Sequence, residues 1–282
     1  MRALVLGCGG QVGRALVAAL PGATALTRAD LDIADAARSA LDWTDYDTVV
    51  NAAAFTDVDG AETPDGRVAA WRANAAGPAA LARICREHGA TLVHLSTEYV
   101  FDGRGTQPYR EDSAIAPLSA YGASKAAGDV AAQSVERHYL VRPTWVVGDG
   151  RNFVRTMLML AEKRVEPTVV ADQVGRPTFA TDLAAAVVHL VASGAPYGAY
   201  HVTGGGEPAS WADVARATFA LAGRSDLTVT DTSTTDYFAD KPYAALRPLN
   251  SVLDLSKATA AGVPLPGWRD RLAEYVSAEQ GS

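Results

Sequence analysis

The stretch that decides the fold is ALVLGCGGQVG, residues 3–13, near the start of the chain. Its first four residues form the short apolar run of a buried strand. Glycines then follow at positions 7, 10 and 13, where a helical pattern begins. Glycines let the backbone turn sharply and approach a pyrophosphate, whose charge then faces the helix N-terminus. This context predicts a dinucleotide site; the alternative is a plain tight turn.

Outward from this stretch, strand and helix patterns alternate through the first half of the chain. We predict strands at 3–6, 24–27, 48–54, 91–96 and 139–142, and helices at 11–20, 67–88 and 121–137. Such alternation is typical of a parallel sheet with helices on both faces. The predicted fold is α/β, a Rossmann-type doubly wound parallel sheet, which binds ligands beyond the carboxyl ends of its strands.

The alternation loosens after residue 144. We predict helices at 153–163 and 181–192, strands near Val169 and at 200–202, and a helix N-cap at Ser210. Residues 228–249 are polar and contain proline, so we predict a loop there. The expected division is 1–144, mainly NAD(P)-binding, and 145–282, mainly a smaller C-terminal substrate-binding lobe whose late strands and helices return to the sheet. Both parts would form one compact unit.

Composition narrows the class of protein. The 282 residues are 48% hydrophobic and 20% charged, which is ordinary for a chain that buries a core. A net charge of −7 gives no indication of nucleic-acid binding. Two cysteines and five scattered histidines indicate neither a disulfide framework nor a zinc site. Because no apolar run approaches the roughly 20 residues of a membrane span, and none resembles a signal peptide, we expect a cytoplasmic protein.

Two positions beyond the glycines are candidates for the adenosine end of a dinucleotide. Asp32 lies about 20 residues after the glycines, near the end of the second βα unit. Arg28, at the tip of the second strand, is placed to meet a 2′-phosphate; its alternative is a solvated loop arginine. Small residues at the carboxyl end of the third strand, within 51–56, permit either close approach of a ligand or tight helix–sheet packing.

A candidate proton donor lies in the sequence YGASK, residues 121–125. Tyr121 and Lys125 are four residues apart and share one helix face. A nearby ammonium lowers the pKa of a tyrosine, and a hydroxyl from Thr97 at the end of the fourth strand can meet the same oxygen. This set predicts protonation of a carbonyl oxygen while hydride reaches the carbon.

The same spacing occurs a second time, between Tyr237 and Lys241. Pro242 follows this lysine at once and disfavours a helix through it. The second pair also lies beyond the strand alternation. We therefore assign catalysis to the first pair.

With these motifs in order, the chain resembles the extended short-chain dehydrogenases/reductases, and more narrowly the dTDP-4-dehydrorhamnose reductase family. The resemblance spans nearly the whole chain and rests on the segments 10–13, 31–33, 50–56, 96–103, 117–122, 142–147, 152–154, 172–178 and 247–251. The glycine and Tyr-Lys motifs identify only the superfamily. The segments DQVGRPT at 172–178 and NS at 250–251 are far more specific.

The resemblance implies reduction of the 4-keto group of dTDP-4-dehydro-L-rhamnose by NADPH or NADH. It implies that Tyr121 donates the proton, that Lys125 sets its pKa and binds ribose, and that Thr97 assists. The residues expected at the cofactor are Gly7, Gly10, Gln11, Val12, Arg28, Asp32, Ile33, Ala54, Phe55, Thr56, Tyr121 and Lys125. Those expected at the sugar nucleotide are Thr97, Glu98, Trp145, Asn152, Gln173 and Arg247, the last as a clamp on the diphosphate.

Glu98 stands where many relatives have Asp, and Leu6 where many extended reductases have Thr. The nearest rival is another sugar-nucleotide enzyme of this fold, a different 4-ketoreductase, an epimerase or a dehydratase. The dehydratase pattern is Thr-Asp-Glu, whereas Thr97 is followed by Glu98 and Tyr99, so a carboxylate is missing. A non-catalytic subunit, such as the relative that partners methionine adenosyltransferase, is disfavoured because Thr97, Tyr121 and Lys125 are all present.

Some relatives form dimers bridged by a metal ion, with an acidic ligand just after the glycines. Here that region contains Arg14 and Ala15, which offer no hard oxygen ligand. We therefore predict no metal in the active site, no metal-dependent dimer, and a monomer in preference to a dimer.

Overall fold

The structure, a computed structural model, describes residues 1–281. Its strands are β1 (Ala3–Leu6), β2 (Thr24–Leu26), β3 (Thr48–Asn51), β4 (Thr91–Leu95), β5 (His138–Arg142), β6 (Val146–Val147), β7 (Thr168–Val170), β8 (Val174–Gly175), β9 (Thr178–Phe179), β10 (Gly198–His201), β11 (Ala209–Ser210) and β12 (Thr230–Thr232). Its α-helices are α1 (Gln11–Ala19), α2 (Pro64–Trp71), α3 (Gly77–His88), α4 (Ala120–Gln133), α5 (Phe153–Glu162), α6 (Ala180–Ser193), α7 (Trp211–Leu221), α8 (Thr234–Phe238), α9 (Ser256–Ala260) and α10 (Trp268–Gln280).

Six strands form one parallel sheet in the order β10-β5-β4-β3-β1-β2. The chain begins near one edge, crosses to the other, and returns through α6 to add β10 after β5. The predicted doubly wound parallel sheet is confirmed. Because all six strands are parallel, their carboxyl ends meet at one edge of the sheet, where a ligand site is expected.

Strand residues alternate between two apolar cores, one on each face of the sheet. In β1, Val5 packs in the core that α1 and α6 cover, whereas Leu4 and Leu6 pack in the core that α3 and α4 cover. All three side chains are almost completely buried. Burial on both faces explains why these strands are continuously apolar rather than alternating.

The second half of the chain contains α5, α7 and α10, which pack together beside the sheet. Their shared core contains Val154, Val214, Trp268 and Leu272. The helix predicted at Ser210 is confirmed as α7: Ser210 and Asp213 form a reciprocal capping box. No helix within residues 1–281 is both long enough and apolar enough to cross a membrane.

Several predicted elements differ from the structure. The strand predicted at 48–54 ends at Asn51, and the helix predicted at 121–137 runs from Ala120 to Gln133. The helix predicted at 67–88 begins three residues earlier and is broken by a π-helical turn, Arg72–Ala76, between α2 and α3. The loop predicted at 228–249 is wrong in part, because it contains β12 and α8. Strand β12 pairs with β7, and Ser233 caps α8 by accepting a hydrogen bond from the Asp236 amide at 3.0 Å.

Candidate active site

A cavity of about 960 Å³ lies at the carboxyl ends of β1, β3 and β4. Its wall contains part of the glycine loop, which we define as residues 7–13, together with the segments 52–58 and 95–99. Tyr121 and Lys125 from α4 complete one side, and Trp145 and Arg151 from the second half of the chain contribute to another. The cavity therefore occupies the place that a parallel sheet reserves for a ligand.

The glycine loop forms a cradle that side chains would fill. Gly7 has a φ of 80°, and a Cβ there would lie 2.5 Å from the backbone nitrogen of Ala53. A Cβ on Gly13 would lie 2.1 Å from the carbonyl oxygen of Gly7. Gly10 is the N-cap of α1 and provides no side-chain hydrogen bond to its first turn. Since Gly10, Gln11 and Val12 line the cavity, this cradle at a helix N-terminus fits the pyrophosphate of a dinucleotide.

Two side chains connect the glycine loop to the segment 148–152 of the second half. The Arg14 guanidinium donates to the carbonyl oxygens of Gly9 and Asp149. The Gln11 amide nitrogen donates to the Arg151 carbonyl oxygen at 3.2 Å. Arg151 itself lines the cavity, a position that the sequence analysis did not single out. The glycine loop and the second half of the chain therefore form one continuous part of the cavity wall.

The candidate site for the adenosine end of a dinucleotide contains several charged side chains. Arg28 lies 3.7 Å from the Asp32 carboxylate, and its side chain is 76% exposed. Asp32 also caps the 3₁₀ turn Ile33–Arg38 by accepting from the Ala34 amide at 3.0 Å. Arg72, which the sequence analysis missed, contacts Asp32 at 3.4 Å and Asp35 at 2.5 Å. Arg28, Asp32, Ile33 and Arg72 all line the cavity, so two cations and one carboxylate lie in the part of its wall where the sequence predicts the adenosine end of a dinucleotide.

The segment after β3 is held by Asn74, a third residue that the sequence did not indicate. Its side-chain oxygen accepts from the Phe55 amide at 2.8 Å, and its nitrogen donates to the Phe55 carbonyl oxygen and to Ser124 Oγ, both at 3.0 Å. Asn74 lies in the π-helical turn between α2 and α3. Such turns often mark functional sites. This turn fixes Ala54, Phe55 and Thr56 where they line the cavity.

Tyr121 and Lys125 lie on one face of α4 and are almost completely buried. Ser119 caps the N-terminus of α4 by accepting a hydrogen bond from the Gly122 amide at 3.1 Å. The Tyr121 ring packs edge-on against Tyr99, with centroids 5.4 Å apart. The Lys125 ammonium donates to the Leu95 carbonyl oxygen at 2.6 Å. Burial lowers the pKa of Lys125 to about 8.

The expected lowering of the Tyr121 pKa is wrong for this structure. Burial raises the pKa of Tyr121, the negative charge of Glu98 raises it further, and the Thr97 hydroxyl opposes both. Tyr121 is therefore a protonated phenol at neutral pH. That is the state a proton donor requires.

Thr97 and Glu98 follow β4 after one intervening residue, Ser96, and are buried. The Thr97 hydroxyl donates to Glu98 Oε2 at 2.7 Å. Burial raises the pKa of Glu98 to about 7, although this hydrogen bond opposes the shift. Thr97, Glu98, Tyr121 and Lys125 all line the same cavity, so the structure brings the predicted catalytic set together.

Of the two expected substrate-binding residues Trp145 and Asn152, only Trp145 lines the cavity. Trp145 lines the cavity, has a φ of 45°, and stacks on Trp211 with centroids 3.9 Å apart. Asn152 does not line it. Its side chain caps α5 and donates to the Gly148 carbonyl oxygen at 2.7 Å and the Tyr275 hydroxyl at 2.9 Å. Asn152 therefore shapes the segment 148–152 from behind, which departs from the expected contact with substrate.

Gln173 and Arg247 belong to a neighbouring region. Gln173 is buried, does not line the cavity, and donates to Thr234 Oγ1 at 3.0 Å. Arg247 lines a second cavity of about 1130 Å³, formed mainly by residues 102–106 and 234–250. Its guanidinium contacts both oxygens of Asp59, at 2.9 and 2.8 Å, and lies 4.0 Å from the centre of the Phe238 ring. Arg247 is thus already paired, so a diphosphate would have to compete with Asp59.

The second Tyr-x-x-x-Lys pair has a different geometry. The Lys241 ammonium lies over the Tyr237 ring, 3.4 Å from its centroid. Tyr237 is 42% exposed, and α8 ends at Phe238, before the lysine. Neither residue lines the first cavity. The structure therefore supports the assignment of the pair 121/125.

Comparison with known proteins places the chain in a family. A family model described as "RmlD substrate binding domain" matches residues 1–280. The dTDP-4-dehydrorhamnose reductase of Streptomyces griseus is 42% identical over an alignment of 291 positions, which covers 98% of this chain and 93% of the relative. The dTDP-4-keto-6-deoxy-D-glucose reductase of Streptomyces niveus is 44% identical over 231 residues, 79% of either chain.

A solved structure of a similar protein has the same fold. The crystal structure of dTDP-4-dehydrorhamnose reductase from Bacillus anthracis in complex with NADP is 32% identical and superposes with a TM-score of 0.84. The similarity covers 97% of this chain and 96% of that one. Since the family model spans nearly the whole chain and the relatives match over most of their length, this chain belongs to the RmlD substrate binding domain family.

Proposed function

We propose that this chain reduces the 4-keto group of dTDP-4-dehydro-L-rhamnose with NADPH or NADH, giving dTDP-L-rhamnose. One observation carries the proposal: the buried set Thr97, Tyr121 and Lys125 shares a cavity with the glycine loop. A proton donor and a dinucleotide cradle are the two parts that carbonyl reduction needs. The names of the Streptomyces griseus and Bacillus anthracis relatives, and the NADP bound in the latter, support this choice.

In this mechanism the bound nicotinamide supplies a hydride to carbon C4 of the sugar. The Tyr121 hydroxyl donates its proton to the C4 oxygen, which becomes the new hydroxyl. Tyr121 is a protonated phenol at neutral pH, and burial raises its pKa further, so the proton is available when the substrate binds. The Lys125 ammonium, anchored on the Leu95 carbonyl oxygen, supplies positive charge beside the tyrosinate left behind.

Thr97 and Glu98 orient the carbonyl in this proposal. Thr97 Oγ1 both donates to Glu98 and accepts from the Tyr99 amide at 3.3 Å, so its position is fixed. Glu98 reaches one methylene further than an aspartate would, and its buried carboxyl is placed to contact a sugar hydroxyl. Trp145, held on Trp211, forms a flat wall for the sugar ring.

We assign the nucleotide part of the substrate to the second cavity. Arg247 lines that cavity and remains the candidate diphosphate clamp, provided that the phosphate oxygens displace one oxygen of Asp59. Arg104 and Lys241 also line it and add positive charge. The proposed roles of Asn152 and Gln173 become indirect, since they support segments that border the two cavities.

The test is incubation of the protein with NADPH and dTDP-4-dehydro-L-rhamnose, followed by product analysis. We expect one NADPH consumed per sugar reduced and dTDP-L-rhamnose as the product. A dehydratase or epimerase would recycle a tightly held NAD and leave free NADPH unchanged. Absence of NADPH consumption would reject the proposal.

A second candidate activity is reduction of another 4-keto sugar. The Streptomyces niveus relative, named for dTDP-4-keto-6-deoxy-D-glucose, favours it. Thr97, Tyr121 and Lys125 can serve the reduction of either sugar. The configuration produced at C4 depends on how the sugar ring is oriented in the site, not on these three residues. A comparison of kcat/KM for the two keto sugars separates the candidates.

A further inference from the structure

A third ionisable residue continues the line of Tyr121 and Lys125 along α4. Asp129 follows Lys125 by four residues, as Lys125 follows Tyr121, so the three lie on one helix face. Asp129 has no exposed surface, and Lys125 is 2% exposed. The mechanism above gives Asp129 no role, yet a buried carboxylate is costly unless it is paired.

The Asp129 carboxylate connects α4 to the ends of two neighbouring strands. Arg142 Nε, in the last residue of β5, contacts Asp129 Oδ2 at 3.0 Å. Ser96 Oγ donates to Asp129 Oδ1 at 2.5 Å. Ser96 directly precedes Thr97, so the carboxylate lies between the strand end that carries Thr97 and the helix that carries Tyr121.

Asp129 and Lys125 lie one turn apart on the same face of α4 and are both buried, so the charge of one acts on the other with little screening by solvent. Burial lowers the pKa of Lys125, and the negative charge of Asp129 raises it. Burial raises the pKa of Asp129, but the Arg142 charge and the Ser96 hydrogen bond oppose that shift. Three other titratable groups belong to this cluster: Tyr121, His94 and His201. Burial raises the pKa of Tyr121, and the charge of Asp129 adds to that shift. Burial and Lys125 lower the pKa of His94, and burial and Arg142 lower that of His201 to about 3, so both histidines are neutral.

We propose that Asp129 is a positioning residue for the reaction: held by Arg142 and Ser96, its carboxylate keeps the buried Lys125 ammonium charged. The proposal rests on the reductase function above. Within it, Lys125 touches cofactor and tyrosinate, whereas Asp129 touches neither. Its charge acts on Lys125 and also raises the pKa of Tyr121, which keeps the phenol protonated. The required property is the negative charge of Asp129, not the hydrogen bond that Ser96 provides.

The test is the pH profile of Asp129→Asn, which keeps the shape of the side chain and removes its charge. Without that charge Lys125 loses its proton at lower pH. We expect the alkaline limb of kcat to move to lower pH by about one unit or more. Ser96→Ala is the matched control: it removes the hydrogen bond but leaves the charge, so its alkaline limb should stay at the wild-type position whatever its kcat.

Asp129→Asn leaves Arg142 buried without its partner and is expected to be less stable. The double variant Asp129→Asn/Arg142→Gln removes both buried charges and keeps the proposal testable if the single variant does not fold. We expect the double variant to regain stability against urea while its alkaline limb stays shifted. A return of both stability and the alkaline limb to wild-type values would overturn the proposal, because Asp129 would then be purely structural.

A second readout does not need the sugar. The affinity for NADPH, measured by nicotinamide fluorescence, should weaken above the pH at which Lys125 loses its proton. We expect that weakening to begin at lower pH in Asp129→Asn. An inactive wild-type protein that shows this difference would reject only the reductase function, whereas identical profiles for variant and wild type, in affinity and in kcat, would reject the role of Asp129.

Discussion

The reactivity of the site depends on Tyr121 and Lys125, two buried side chains whose pKa values shift in opposite directions. Burial keeps the Tyr121 phenol protonated and makes the Lys125 ammonium easier to deprotonate. The pair is therefore in its working state, phenol plus ammonium, only below about pH 8. Proton donation by one and charge stabilisation by the other then occur in the same pH range.

We expect Tyr121→Phe to lower kcat by roughly 10²–10⁴, the usual effect of losing a general acid. NADPH affinity should change little, since the ring and the glycine loop remain. Steady-state kinetics and a fluorescence titration of NADPH measure the two quantities. Tyr237→Phe is the control and should be nearly silent, because that ring is on the surface under Lys241. A large loss in the control would mean that the other tyrosine–lysine pair is the catalytic one.

Because the carboxyl group of Glu98 is buried, it makes the free energy of unfolding depend on pH. Its pKa is about 7 in the folded protein and about 4.5 in the unfolded chain, so the folded state holds its proton more tightly. The resulting stabilisation is complete below pH 4.5 and is lost as the pH rises through 7. Between pH 5 and pH 8 this amounts to about 3 kcal/mol at most. In Glu98→Gln this contribution disappears, so urea unfolding should show a smaller loss of stability over the same range. Equal pH dependence in the two proteins would contradict the assignment.

We expect Arg28 and Arg72 to differ in how much they contribute to the preference for NADPH over NADH. Arg28 has one long contact with Asp32, whereas Arg72 is bound by Asp32 and Asp35. Arg28 is therefore freer to bind a 2′-phosphate. We expect Arg28→Ala to lower kcat/KM for NADPH about tenfold, the lower end for an exposed charge-assisted contact, with little change for NADH. Arg72→Ala should have a smaller effect on this ratio, and an unchanged ratio in Arg28→Ala would rule out its role.

Some of these residues were predictable from sequence and others were not. Thr97, Tyr121 and Lys125 follow from spacing, because strand ends and one helix face determine where they lie. Asn74, Arg72 and Arg151 carry no such local signal. The first two depend on a π-helical turn inside an alanine-rich helix, and Arg151 on where a distant loop packs. The pKa of Tyr121 was predicted with the wrong sign because the depth of burial is a tertiary property.

The glycine loop tolerates little change at the positions where it packs against its own backbone. A Cβ at position 13 would collide with backbone atoms of Gly7 and Cys8, which cannot move without opening the loop. We expect Gly13→Ala to weaken NADPH binding at least tenfold and to lower stability by about 1–3 kcal/mol. At Gly9 a Cβ meets nothing within 4 Å. Gly9→Ala should therefore retain wild-type stability in urea unfolding, and equal destabilisation by the two variants would contradict this account.

The element boundaries show where local pattern fails. Strand β1 was predicted to the residue, because a fully buried strand is apolar throughout and ends at a glycine. The helix at 67–88 was predicted as continuous, since alanine-rich sequence gives no sign of a π-helical turn. Strand β12 was missed because its residues, Thr-Asp-Thr, are polar, and only pairing with β7 makes them a strand.

At the scale of the whole molecule, we predict a monomer whose state does not depend on metal ions. Arg14 occupies the position after the glycine loop and binds two carbonyl oxygens of its own chain, so it provides no oxygen ligand to a cation. Light scattering should give the mass of one chain, with and without a chelator. A dimer that dissociates on chelation would overturn this prediction.

The return of α6 and β10 to the sheet makes the two halves of the sequence mutually dependent. Strand β10 covers the edge of β5, and α6 packs on α1, so residues that lie late in the chain protect those that emerge first during synthesis. Until residue 201 has left the ribosome, β5 has an open edge and the first helix has a bare apolar flank. A nascent chain of this protein therefore spends most of its elongation unable to complete its sheet, and the interval in which chaperones can act on it extends well beyond the synthesis of the glycine loop.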